Sequence, residues 1–346
     1  MTRALQVALV GYGLAGRVFH APLIAAVDGL QLRTVVSSDP GRVHADLPEV
    51  AVSDDPHAAF ADPAIDLVVL ATPNATHASL AIAALRAGRH VVVDKPLAVD
   101  LAEADLVLAA AGQAGRVLSV FHNRRWDADF LALRALVEAG TLGTLAEVHS
   151  HFDRFRPAVP DRWRERAGAG AGLWLDLGPH LVDQMLQLFG LPDAVQADIG
   201  MQRTGAEVDD WFHVVLRFGR LRAVLHAGAL VPGAGLRFAV HGTGGSWFKS
   251  GLDPQEASLR AGSRPGDPGW GVDPAPGHLL QVHAGGVVET PSPAPTGDWR
   301  RYYAGVRTAL LDGTPPPVTA DEAHAVMRVL QAGIESAATG RVVPLR

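Results

Sequence analysis

The chain is 346 residues long, enough for two domains with cores of their own, and its 48% hydrophobic and 19% charged residues fit a folded globular protein. A formal net charge of -6, with arginines that occur in pairs such as Arg124-Arg125 and Arg300-Arg301, excludes the clustered basic surface that nucleic acid requires. The absence of cysteine excludes disulfides, thiolate catalysis and iron–sulfur ligation.

Met1-Thr2-Arg3 runs directly into a strand-like segment, without the parts of a secretory signal. No apolar run reaches the ~18–20 residues needed to span a bilayer. The expectation is a cytoplasmic protein with no membrane partner.

Through residue 121, short apolar runs alternate with Ala/Leu-rich helical stretches. The runs Leu5–Val10, Leu30–Val36, Ile65–Ala71, His90–Asp94 and Val117–Phe121 predict buried parallel strands. Helices are predicted over Thr76–Ala87 and Leu101–Ala114, with Gly88 and Gly115 as their C-terminal stops. Such alternation predicts an α/β doubly wound parallel sheet, a Rossmann-type domain over residues 1–121.

The first strand leads into Gly11-Tyr12-Gly13-Leu14-Ala15-Gly16, a glycine fingerprint for a dinucleotide. Gly11 makes the tight turn, Gly13 lets backbone approach a pyrophosphate, and Gly16 lets helix and strand pack closely; the turn Gly11, Gly13, Leu14, Ala15 and Gly16 is the cofactor cradle. A proline inside a helix breaks its ladder, so His20-Ala21-Pro22 predicts a kink or a stop near His20, with Pro22 in the first turn of the next segment.

The second strand ends in Ser37-Ser38-Asp39-Pro40-Gly41-Arg42. Where an NAD site places a carboxylate against the ribose, this chain has Ser37, and Ser38 and Arg42 suit a 2′-phosphate. Asp39, two residues late, is the competing reading. NADP is therefore favoured, with NAD possible.

Farther on, Thr72, Pro73, Asn74 and His77 follow a strand at the same edge, where Asn74 and His77 either touch the cofactor or cap a helix and Thr76 is a cap candidate. Proline restricts Lys95 to extended backbone in Asp94-Lys95-Pro96, which places the lysine at the carboxyl end of a parallel strand.

Beyond Phe121 the pattern changes. A helix near Asp127–Ala139 precedes a strand at Thr144–Phe155, and a second helix is predicted to begin at Pro179 and stop at Gly190. Alternating runs at Ala194–Arg203, Asp210–Phe218, Leu221–Leu230 and Leu236–Gly242, with a hairpin at Gly219-Arg220, predict a mainly antiparallel open sheet. Residues 122–346 are thus expected to form a second, α+β domain. The Gly/Pro-rich segment Lys249–Asp298 is expected to be long surface loops, and Trp299–Leu311 and Asp321–Thr339 closing helices.

On this reading His180 lies in a helix's first turn, where the positive end favours a neutral, proton-accepting imidazole. Asp176, just ahead of that helix, either bonds His180 or orients a substrate hydroxyl. Asn123, Arg124, Asp153 and Arg154 are candidates for substrate hydroxyls, while Arg125 and Arg154 equally suit interdomain salt bridges. His149 and His151 share a strand face, but without an adjacent carboxylate cluster they read as structural, and no metal is expected.

The fingerprint, "ATPNATHASLAIAALRAGRHVVVDKP" and "GLWLDLGPHLVDQ" together resemble the Gfo/Idh/MocA oxidoreductase family. "GYGLAGRVFHAPL", "FHNRRWDADF", "FDRFRP" and "GLDPQE" look closest to its branch of NADP-dependent scyllo-inositol dehydrogenases. The resemblance implies that Lys95, Asp176 and His180 form the catalytic set, although the family usually has Glu where this chain has Asp94. It also implies that residues 122–346 are a substrate-binding and oligomerisation domain, that the protein is a homo-oligomer, dimer or tetramer, and that hydride passes between nicotinamide and a cyclic polyol or sugar. Alternatives are a keto-sugar or dicarbonyl reductase, a dihydrodiol or aldose dehydrogenase, and a non-catalytic NADP-binding regulator.

Overall fold

The computed structural model describes residues 3–233 and 235–345. They form two compact units. The first takes in the chain through Asn123 with Gln255–Trp270 and Asp298–His324; the second takes in Arg124–Pro254, Gly271–Gly297 and the chain from Ala325 on.

In the first unit, β1 (Leu5–Val10), β2 (Leu30–Val36), β3 (Ala51–Ser53), β4 (Leu67–Leu70), β5 (His90–Val93) and β6 (Leu118–Val120) form a six-stranded sheet. Its order is β3-β2-β1-β4-β5-β6, and every pairing is parallel. Val7, Leu9, Leu67 to Leu70 and Val91 to Val93 are wholly or almost wholly buried, which is why these strands read as continuous apolar runs. The winding direction reverses between β1 and β4, and a crevice for ligand opens outside the carboxyl ends of strands at such a point.

Two short helices, Pro40–Asp46 and Pro56–Ala61, are too brief for periodicity to reveal. Each begins Asp-Pro: Asp39 accepts the Arg42 N–H at 2.9 Å and Asp55 the His57 N–H at 2.8 Å. At His20 the helix changes type and does not stop, the backbone staying right-handed helical through His20 and Ala21. A π-helical turn over Ala15–His20 gives way to an α-helix over Ala21–Ala25, with Pro22 in its first turn. This junction seats a buried histidine: His20 Nδ1 lies 2.6 Å from the Tyr303 hydroxyl, and its ring packs 4.4 Å from that of Phe121. Beside it, the Tyr302 hydroxyl donates to Ser119 Oγ at 2.9 Å, and Ser119 donates to the Val318 carbonyl at 2.8 Å.

The second unit holds a nine-stranded sheet. Its strands are β7 (Leu145–His151), β8 (Ala194–Gly200), β9 (Trp211–Phe218), β10 (Leu221–Gly228), β11 (Leu236–Gly242), β12 (Gly245–Ser250), β13 (Gly277–His283), β14 (Gly286–Ser292) and β15 (Val343–Pro344). They run in the order β14-β13-β12-β11-β7-β10-β9-β8-β15. The β7–β10 pair is parallel and the other described pairs are antiparallel. The helix Leu173–Phe189 covers one face, with the Trp174 ring edge-on to Phe212 at 4.9 Å. Along β9, buried Phe212, Val214 and Leu216 on that face alternate with exposed His213 on the other.

Two expectations are corrected. Lys249–Asp298 is not only loop: it carries a helix at Gln255–Arg260 and the β13–β14 hairpin. The residues of β14 are almost all exposed, so no buried alternation marks it in the sequence. The helix expected to start at Pro179 starts at Leu173, with Pro179 inside it. Its N-terminus is capped from a distance, since the Asp209 carboxylate accepts the Trp174 N–H at 2.6 Å and the Asp209 carbonyl the Leu173 N–H at 2.8 Å. Among the described residues, no helix is long and apolar enough to cross a membrane.

Candidate active site

Because the first sheet is parallel throughout, the segments after β1, β2, β4 and β5 emerge at one edge. Gly11 has φ +96°, and a Cβ there would lie 2.6 Å from the Ala71 carbonyl oxygen, so the turn presses against the end of β4. A Cβ on Gly16 would lie 2.0 Å from the Gly11 carbonyl oxygen. A Cβ on Gly13 would meet nothing within 4 Å, and Gly13 and Leu14 are exposed beside half-buried Ala15. Closed turn, open approach and tight helix packing are thus arranged as a pyrophosphate cradle requires.

After β2, Ser37 Oγ accepts the Asp39 N–H at 3.1 Å. The Asp39 carboxylate is turned to the helix it caps and lies 3.3 Å from the Arg42 guanidinium. Ser38 and Arg42 are exposed.

After β4, Thr72 is half-buried, Pro73 exposed and Asn74 buried in a single 3₁₀ turn. Thr76 occupies the N-cap position, but its hydroxyl faces Thr72 Oγ1 at 2.7 Å and the Pro73 carbonyl at 2.8 Å and caps nothing.

His77, expected at the cofactor or as a cap, is corrected. Its ring is fully buried, with Nδ1 2.8 Å from the Pro96 carbonyl and Nε2 3.0 Å from the Thr72 carbonyl. Both nitrogens face carbonyls of the β4 and β5 loops, and the neutral ring donates its single N–H to one of them. Burial lowers its pKa against the pull of those carbonyls.

Lys95 is buried directly after β5, its N–H donating to Asp94 Oδ1 at 2.8 Å, and its bond to Pro96 is cis. Burial alone would raise the Asp94 carboxyl, but His20 at 3.9 Å, with Lys95 and His77, outweighs it and holds Asp94 well below the usual carboxylate range. A permanent anion therefore stands next to Lys95, and the smaller Asp fills the place where Glu was the family expectation.

In the second unit the helix Leu173–Phe189 carries both Asp176 and His180. One turn apart, they share a helix face. The longer helix changes the electrostatics: His180 sits mid-helix and buried, outside the reach of the terminal dipole, and Asp176 occupies the first turn, where negative charge is favoured. Asp176 lies 3.4 Å from Arg164 and 4.0 Å from Arg154. Those guanidiniums stack over Trp163 at 4.5 Å and Phe152 at 4.9 Å, respectively. With Asp209 they line a cleft. Burial pushes the Asp209 carboxyl up to about 6 against the N–H bonds it accepts.

Asp153 and Arg154 part company. The Phe152 and Arg154 N–H groups bond the His226 and Gly228 carbonyls, so strand alternation continues past β7 and turns Asp153 away from Asp176. Asp153 instead accepts the Gly228 N–H at 3.0 Å and lies 3.4 Å from both His151 and His226. A single carboxylate, Asp153, therefore stands beside His151 of β7 and His226 of β10.

Asn123 is buried at the head of a 3₁₀ turn. Arg124 is buried too, 3.2 Å from Asp127 and stacked on Phe152 at 4.6 Å. Arg125 grips Asp183 at 2.6 and 2.9 Å inside this unit, so the pair is no interdomain bridge. Sequence reasoning missed Arg164, Arg203 and Asp209. The alternation Arg162-Trp163-Arg164 was the available signal for the first; Arg203, bonded to Asp210 at 2.8 Å and Glu165 at 2.6 Å, had none.

Residues 5–122 match the family described as "Oxidoreductase family, NAD-binding Rossmann fold", and residues 134–345 match "Oxidoreductase family, C-terminal alpha/beta domain". The chain is 48% identical over 337 residues to the uncharacterized oxidoreductase YdgJ of Escherichia coli, covering 97% of each protein. It is 38% identical over 343 residues to the scyllo-inositol 2-dehydrogenase (NADP(+)) IolW of Bacillus subtilis, covering 99% of this chain and 96% of that one. The solved structure of yvaA from Bacillus subtilis superposes with a TM-score of 0.96 at 38% identity, covering 100% of this chain and 99% of that one.

Proposed function

The chain belongs to the Gfo/Idh/MocA oxidoreductase family, and from that premise we propose that it is a cytoplasmic, NADP-preferring dehydrogenase acting on a hydroxyl-bearing carbon of a cyclic polyol or sugar. The observation that carries the reading is Lys95, a buried cation beside a permanently charged Asp94, at the same sheet edge as the glycine cradle. The cofactor would be held by Gly11, Gly13, Leu14, Ala15 and Gly16, with Thr72, Pro73 and Asn74 along the adjoining strand end. When bound, the nicotinamide supplies or accepts the hydride.

Lys95 donates a hydrogen bond to the substrate oxygen and stabilises alkoxide charge as it develops. His180 takes the hydroxyl proton, or returns it in the reverse direction. Asp176, held by Arg154 and Arg164, orients a substrate hydroxyl. Arg154 is the substrate contact retained from the sequence reading. Asn123 and Arg124 keep that role only through their place at the end of the first sheet. Ser37, Ser38 and Arg42 favour a 2′-phosphate, because Asp39 is committed to capping its helix. Assembly into a dimer or tetramer belongs to the same reading.

The test is a panel of inositols and sugars assayed with NADP and NAD in parallel. At least one cyclic polyol should turn over, with the higher kcat/KM for NADP. Lys95→Ala and His180→Ala should each lower kcat/KM by about 10²–10⁴-fold while cofactor titration is nearly unchanged. Turnover that survives either substitution would overturn the assignment.

A further inference from the structure

The face of the nine-stranded sheet that the helix Leu173–Phe189 does not cover carries a row of histidines. His151 on β7 pairs directly with His226 on β10, and His226 with His213 on β9. Cross-strand partners share a sheet face, so the three rings line up, with the His151 and His226 rings 4.9 Å apart. Asp153 joins them from the extension of β7. We infer that His151, Asp153 and His226 form a binding site for a divalent transition metal, with Zn²⁺ as the fitting ion.

The distances favour coordination over hydrogen bonding. His151 Nδ1 lies 3.4 Å from Asp153 Oδ2, and His226 Nε2 lies 3.4 Å from Asp153 Oδ1. Those gaps exceed the ~2.7–3.2 Å of a good N–H···O bond and leave no room for a bridging water. A tetrahedral Zn²⁺ with ligands at ~2.0–2.2 Å holds neighbouring donor atoms roughly 3.3–3.6 Å apart, the separation each imidazole already keeps from one of the two Asp153 oxygens. One donor atom from each residue already lies within 4.8 Å of the other two. Small side-chain rotations close the rest.

The surroundings agree. His151 Nε2 is buried with no hydrogen-bond partner, so this ring has one long contact and one nitrogen without any. Asp153 is oriented by the Gly228 N–H at 3.0 Å, the kind of support that positions a metal-ligating carboxylate. Two imidazoles and one carboxylate match the ligand preference of Zn²⁺ and leave a fourth position for water. The side chains of His151 and His226 keep 20% and 16% exposure, which gives the ion a way in. The bound ion would join β7 to β10.

The site is independent of the dehydrogenase reading and is tested without turnover. The full-length chain, freed of any affinity tag and treated with chelator, is titrated with Zn²⁺ by calorimetry and with Co²⁺ by visible absorption. One equivalent should bind per chain, with the visible bands of four- or five-coordinate Co²⁺ and a melting point that rises with Zn²⁺ and falls back with chelator. His226→Ala, Asp153→Asn and the gentler His151→Gln should each weaken binding at least tenfold, while His278→Ala, in the exposed His278–Glu289 pair on β13 and β14, leaves it unchanged. Circular dichroism in chelator identifies which variants remain folded. Absence of saturable uptake, or uptake that folded variants retain or that His278→Ala equally removes, overturns the proposal.

Discussion

The two units assemble their chemistry in opposite ways. In the first, the residues that matter are short-range neighbours of strand ends, and much of the geometry is made by what is missing: no side chain on Gly11, Gly13 or Gly16, and no N–H on Pro96. In the second, Asp176 is set by side chains brought from afar. Arg154 comes from the extension of β7, Arg164 from a separate turn, and the helix itself is started by Asp209, 35 residues after the N–H it caps. A site made by omission tolerates no added atoms. A site made by charged pairs loses function by degrees.

The largest expected effect tests the first half of that contrast. In Gly16→Val the new Cβ would stand 2.0 Å from a backbone oxygen that no rotamer can move away. Overpacking of this kind costs ~3 kcal/mol or more, and opening the Gly11–Gly16 turn should weaken cofactor binding about 100-fold. A fluorescence titration of NADPH, with a thermal melt alongside, reads both. Retained affinity would mean that the cradle yields, and the contrast would collapse.

Next in size comes Asp209, whose carboxyl burial pushes up to about 6. A raised carboxyl favours the folded state below the unfolded value, and that advantage is lost as pH rises through about 6. Asn caps a helix comparably but does not titrate. The stability of Asp209→Asn relative to the native chain should therefore climb between pH 4 and 7, by roughly 2–3 kcal/mol. A difference that stays flat with pH would show that the carboxylate is charged throughout and its N–H bonds win over burial.

Legibility follows the same division. Of the six strands in the parallel sheet, only β3, three residues long and without a buried side chain, escaped a sequence reading. Lys95 was placed because proline constrains its neighbour and because a parallel strand has only one carboxyl end. His77 misled because its residue type suits a ligand contact, while the carbonyls that occupy it come from Thr72 and Pro96 on two different loops. Pro179 misled more: a proline usually opens a helix, and nothing near it in sequence announces the cap from Asp209. Asp153 and Arg154 looked equivalent as adjacent polar residues, and only the backbone ladder to β10 shows that they face opposite ways.

The smallest predicted effect is the most discriminating for the second unit. Asp176 lies beside Arg164 at 3.4 Å and Arg154 at 4.0 Å, and the side chains of Arg164 and Asp176 are 24% and 17% exposed. Water screens part of that attraction, so removing one guanidinium leaves the other to hold Asp176 in place. Arg164→Ala should lower kcat/KM about tenfold, equivalent to ~1.4 kcal/mol, with cofactor affinity unchanged. Arg164→Lys should recover part of the loss, because a point charge replaces the fork but not its stacking on Trp163. A loss as large as that of Lys95→Ala would show that Asp176 depends on Arg164 and that Arg154 does not share the load. The second unit's site would then be as brittle as the glycine turn, for the opposite reason: one charge that cannot be spared in place of one atom that cannot be added.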